Sequence, residues 1–143
     1  MSKRILRSIS VILVIVFLVS APVHAFAAEA RASAWFTGYG ASIVAAGNGK
    51  IKIEFTVVGT GTMTKLGAST IDIYKSNGAF VKTISYTTSG NGYMMGYNTA
   101  YHSGSVPYSG VAGQKYYAVV NFYAKNSSGS DTRSYTTAYK TAT

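Results

Sequence analysis

The side chains able to do acid–base chemistry are few. Beyond residue 27 the chain carries four carboxylates, Glu29, Glu54, Asp72 and Asp131, and a single histidine, His102. Hydrolysis of a glycosidic bond calls for two carboxylates held at a fixed separation across the scissile bond. The alternation of the chain puts Glu54 and Asp72 mid-strand on outward faces, Asp131 in a turn and Glu29 in a frayed start, so no such pair is expected. A serine triad would have to join His102 to Ser103 or Ser105, but adjacent strand residues point to opposite faces and no G-x-S-x-G elbow occurs. There is no cysteine, hence no thiolate nucleophile, no thiolate metal site and no disulfide framework, and two histidines do not make a His-rich centre. Gly59-Thr60-Gly61 and Gly90-Asn91-Gly92 complete neither G-x-G-x-x-G nor G-K-[ST] and open no helix, so they read as turns rather than phosphate loops. Asn126-Ser127-Ser128 fits a glycosylation sequon and reads as a hairpin turn. No catalytic residue, no metal and no cofactor is expected.

Binding is the chemistry that remains. Tyr93, Tyr97, Tyr101 and Tyr108, with Trp35 and Tyr39 elsewhere, could offer flat rings to sugar faces, with His102, Asn91 and Asn98 supplying hydrogen bonds. The competing reading is packing, because tyrosines in small β-domains bury the ring and keep the hydroxyl at the rim. Tyr117 and Tyr123, with Tyr135 and Tyr139 opposite, could equally form a cross-strand ladder.

Charge and the first 27 residues give the address. Lys3, Arg4 and Arg7 precede the apolar run Ile9 to Val19, and Ala25-Phe26-Ala27 supplies small residues, the pattern of a signal peptide over 1–27 with cleavage after Ala27 or after Ala25. The run falls short of the roughly 20 residues a spanning helix needs, so no membrane span is expected in the mature domain, 28–143. No cysteine follows for lipid attachment, and Ala138 to Thr143 is neither an apolar tail nor a charged sorting segment. The whole chain has 13 Lys+Arg against 4 Asp+Glu; without Lys3, Arg4 and Arg7 the surplus is +6. A cationic domain is drawn to polyanions in a salt-dependent way. Outside a Gram-positive cell those are wall teichoic acids and phospholipid headgroups. The basic residues are scattered singly rather than run together, so nucleic acid is not the expected partner.

The elements that must position these residues alternate with period two and never with a sustained 3.6, which predicts an all-β domain. Ile51, Ile53, Phe55 and Val57 share one face of Lys50 to Val58; Tyr39, Ala41, Ile43 and Ala45 share one face of the segment before it, joined through Gly47-Asn48-Gly49. A break is expected at Gly59-Thr60-Gly61. Ser69 to Tyr74 then turns at Ser76-Asn77-Gly78 into Phe80 to Tyr86, with Asn77 and Gly78 as the hairpin signal. Residues 87–104, with glycines among tyrosines, read as a long loop. Lys115 to Lys125 puts Tyr116, Ala118, Val120, Phe122 and Ala124 inward, and Thr132 to Thr143 closes the domain after a turn at 126–131. About seven strands predict two antiparallel sheets packed face to face.

Two resemblances bear on this. Gly113-Gln114-Lys115-Tyr116-Tyr117-Ala118-Val119-Val120-Asn121-Phe122 resembles the sixth-strand region of fibronectin type III and other immunoglobulin-like domains, with Tyr116 at the tyrosine-corner place, and Ile71 to Lys82 resembles the third strand and its partner. The resemblance implies an immunoglobulin-like β-sandwich. It departs from the pattern in having no proline-rich start and no tryptophan near Ile53. Residues 33–140 are also similar to an uncharacterised family of small secreted proteins of Firmicutes-type, Gram-positive bacteria, a domain of unknown function, through Ala46 to Ile51, Gly59 to Met63, Gly96-Tyr97-Asn98, Tyr101 to Gly104 and Gly129 to Arg133. It implies no active site. The expectation is a secreted, extracellular, non-enzymatic monomer adhering to the cell envelope through an anionic wall polymer or another extracellular partner. The alternatives are a carbohydrate-binding module using the Tyr93 to Tyr108 region and a cationic antibacterial protein.

Overall fold

The computed structural model describes residues 33–143; the expected signal peptide, 1–27, and both of its expected cleavage positions lie outside them. Seven strands follow in order: β1 (Phe36–Gly47), β2 (Lys50–Lys75), β3 (Phe80–Ser85), β4 (Met95–Ser109), β5 (Lys115–Asn126), β6 (Gly129–Thr136) and β7 (Lys140–Thr141), with a short 3-10 turn, Gly92–Met94, before β4. Every pairing is antiparallel. The all-β expectation and the strand number hold. Hydrogen bonds nevertheless join all seven strands into one sheet, where two were expected.

The reason is β2. Gly59-Thr60-Gly61 does not break the chain but lies inside this 26-residue strand, and the irregularity there is taken up by register shifts in both neighbouring ladders, between Val58 and Met63 against β4 and between Phe36 and Gly38 against β1. The first half of β2 runs between β1 and β4, with Ile53 opposite both Ile43 and Val106. Its second half runs between β3 and β5, with Ile71 opposite both Ile84 and Val120. The resulting order is β1-β2-β4 in one arm and β3-β2-β5-β6 in the other.

The two arms turn their apolar faces together. Ile51, Ile53, Phe55 and Val57 from one, and Ile71, Ile73, Ala118, Val120, Phe122 and Ala124 from the other, are buried as their alternation requires. Phe122 is the meeting point, with its ring 6.2 Å from Phe55 and 5.5 Å from Tyr39. Trp35 donates from Nε1 to Asn126 Oδ1 at 3.2 Å, and Ser33 donates to Asp131 at 2.8 Å, fastening the segment before β1 to the β5–β6 hairpin.

The hairpin turns at 47–49 and 77–78 form where the sequence places them. Gly78 donates its N–H to the Lys75 carbonyl at 2.9 Å, and Asn77 Oδ1 accepts from the Ala79 N–H at 3.0 Å. Gly47, Asn48 and Gly49 carry φ of 79°, 53° and 75°, a run of left-handed conformations that suits those residues. Tyr116 is buried, and its hydroxyl accepts the Val111 N–H at 2.9 Å, the tyrosine-corner bond. Tyr116→Phe removes that acceptor and is expected to lower stability by about 1 kcal/mol, read as a lower denaturation midpoint at unchanged slope.

Two further segments differ from expectation. Residues 95–104 are not loop but the first part of β4, and the glycines there admit neighbouring rings. A Cβ on Gly104 would lie 2.6 Å from the Phe55 ring, and one on Gly96 would lie 2.8 Å from His102. The closing strand is split into β6 and β7 because the buried Thr137 takes over the ladder: its Oγ1 accepts from the Ala118 N–H at 3.0 Å and donates to the Ala138 carbonyl at 2.9 Å.

Candidate binding surface

The five residues expected to form a ligand site divide between two faces. Residues opposite one another in an antiparallel pair share a face, and β4 places Tyr108 opposite Ile51 and His102 opposite Val57, both core-facing. Tyr108 packs edge-on against Tyr116 at 5.8 Å. His102 lies 6.0 Å from the Phe55 ring, and its Nε2 donates to the Tyr93 carbonyl at 2.8 Å, tying the 3-10 turn to β4. Asn91 is likewise engaged, donating from Nδ2 to the Ser85 carbonyl at 3.1 Å. Tyr93, Tyr97 and Tyr101 face solvent, 45%, 56% and 56% exposed. Tyr97 stands opposite Lys65 and Tyr101 opposite Val58.

Burial of Tyr108, and secondarily its neighbour Tyr116, raises the Tyr108 hydroxyl above the ordinary tyrosine range. A raised tyrosine favours the neutral form in the fold. Its contribution is therefore fully present below about pH 10 and is lost as the pH climbs through the folded-state value. Stability measured by denaturant should fall above pH 10 on this account, and Tyr108→Phe should flatten that fall without altering the profile near neutrality.

The two described aspartates are held by neighbours. Asp72 accepts from the Thr83 hydroxyl and, on its other oxygen, from Asn121 Nδ2 at 3.1 Å, while Ser134 donates to Asn121 Oδ1 at 2.6 Å. Asp131 pairs with Arg133 at 3.0 Å and accepts from Ser33 and the Thr132 N–H. Glu54 lies on the outer face of the first arm, opposite Ser42 and Ser105. Among the described residues no group of three His, Cys, Asp or Glu side chains is placed to hold a metal.

A further aromatic row lies on the outer face of the second arm. Phe80 meets Tyr74 edge-on at 5.7 Å, Tyr74 stacks on Tyr117 at 5.1 Å with 11° between planes, and Tyr117 meets Tyr139 edge-on at 5.3 Å. The ladder expected around Tyr117 thus reaches Tyr139, Tyr74 and Phe80. Tyr123 and Tyr135 instead stand opposite Thr132 and Val120. The Asn-Gly hairpin carried the missing signal, since it places Tyr74 opposite Phe80. The parallel pair spends ring faces on itself, while Phe80 and Tyr139 remain 60% and 58% exposed.

These features define an all-β domain with exposed tyrosines and lysines and with its described aspartates internally bonded. Comparison with protein-family models, with curated proteins and with solved structures found no match. Among the described residues no helix is long and apolar enough to cross a membrane.

Proposed function

We propose that this is a secreted, non-enzymatic β-domain that adheres to the cell envelope by charge. The observation carrying this reading is the distribution of ionised groups. The described residues hold eight lysines and one arginine against three acids. Asp131 is paired with that arginine and Asp72 is bonded within the sheet, so the lysines, seven exposed and Lys65 half-buried, are left with little internal compensation. The signal-like start and the resemblance to small secreted proteins of Gram-positive bacteria support the same location. The purified protein should be pulled down by isolated wall sacculi, and binding should fall steeply between low and physiological salt and on removal of the teichoic acids. Binding insensitive to both overturns the reading.

A second reading, carbohydrate recognition, is favoured by the exposure of Tyr93, Tyr97 and Tyr101. It expects Tyr97→Ala and Tyr101→Ala to lose glycan binding with the fold intact; unchanged binding in both discards it.

A further inference from the structure

We infer that Lys65 and Lys125, with Tyr97 beside them, form a site for the phosphodiester of an anionic polyol-phosphate wall polymer, an inference that rests on the envelope reading and gives it a location. β2 is paired on both sides at once over Lys65 to Gly67, where the two arms meet. Lys65 stands directly opposite Lys125 on β5 and directly opposite Tyr97 on β4. The adjoining Leu66 and Ala124 are opposite each other and fully buried, so both lysines lie on the outer face. Two like charges in directly opposed positions are destabilising. The register cannot slip to relieve them, because a one-residue shift would turn Leu66, Ala68, Phe122 and Ala124 out of the core.

Among the described residues no acidic side chain compensates the pair. Asp131 stands opposite Ala124, on the other face, where Arg133 and Ser33 hold it. Asp72 is seven residues along β2 and bonded to Thr83 and Asn121, and Glu54 belongs to the other arm. What surrounds the lysines is uncharged. Ser130 is opposite Lys125, Tyr97 is 56% exposed, and Tyr123 is two residues away on the same face, with only Gly67 opposite it on β2. Two point cations with hydroxyl groups beside them suit a tetrahedral oxyanion, and the exposed tyrosine ring suits the carbon chain or sugar that links one phosphate to the next.

The test compares Lys65→Gln/Lys125→Gln with Lys82→Gln/Lys140→Gln, which removes the same charge elsewhere, in titrations with poly(glycerol phosphate), inorganic phosphate, phosphatidylglycerol vesicles and single-stranded DNA. The first variant should lose at least about tenfold in affinity for poly(glycerol phosphate), and the second less than about threefold. In low salt without ligand, the first variant should also melt no lower than the wild type, since it relieves repulsion. Equal losses in the two variants overturn the site while leaving adhesion by charge intact. Failure of the wild type to bind the polymer overturns both. Tighter binding of the wild type to vesicles or DNA than to poly(glycerol phosphate) overturns the assignment to a wall polymer, and so does inorganic phosphate binding that both variants retain.

Discussion

Gly67→Ala is expected to destabilise the domain by at least about 3 kcal/mol or to prevent folding. A Cβ at this position would be driven into the Met94 carbonyl oxygen and would lie 2.7 Å from the Met95 Cα. Both obstacles are backbone, so no rotamer change relieves them. Met94 and Met95 are themselves buried, and Gly67 is paired with Met95 on one side and Tyr123 on the other. Relief would need β4 to move away at the place where the two arms join. Gly61→Ala, in the same strand with nothing near its added carbon, is the control and should change stability by no more than about 0.5 kcal/mol. Denaturant unfolding measures both. Similar midpoints for the two would show that β4 does not approach β2 as closely as described.

Phe122→Ala is expected to cost about 3–5 kcal/mol. Its side chain is fully buried and touches rings from the other arm, Phe55 and Tyr39. Truncation therefore removes apolar contact from both halves of the core and leaves a cavity that the sheet, continuous through β2, cannot readily collapse to fill. Phe80→Ala provides the contrast. Phe80 is equally aromatic but 60% exposed and touches Tyr74 at its edge, so the loss should stay below about 1 kcal/mol. A Phe122→Ala midpoint close to that of Phe80→Ala would mean that the arms do not share one core.

The same distinction, between a residue's type and what stands opposite it, separates what was legible from what was not. Period-two alternation was enough to assign Ile51 to Val57 and Tyr116 to Ala124 to the core, because each strand buries one face whatever its partners are. The turn at Asn77-Gly78 was equally legible, since it depends on the backbone freedom of those residues alone. Gly59-Thr60-Gly61 and the glycines of β4 misled for a common reason: glycine favours turns locally, but Gly96 and Gly104 lie in a strand whose missing side chains make room for His102 and Phe55.

For the candidate site, the exposed tyrosines and the basic surplus could be named from composition, whereas His102 and Tyr108 could not be separated from Tyr93, Tyr97 and Tyr101 without knowing which face β4 presents to the core. The sequence by itself determined the all-β character, the inward residues and the net charge, all properties of single segments. Only the tertiary structure decided that β2 runs unbroken through both arms and that Lys65 faces Lys125 and Tyr97. Such pairings depend on register between segments about 60 and 30 residues apart in the chain, fixed by burial of Leu66 and Ala124 rather than by the charged residues themselves.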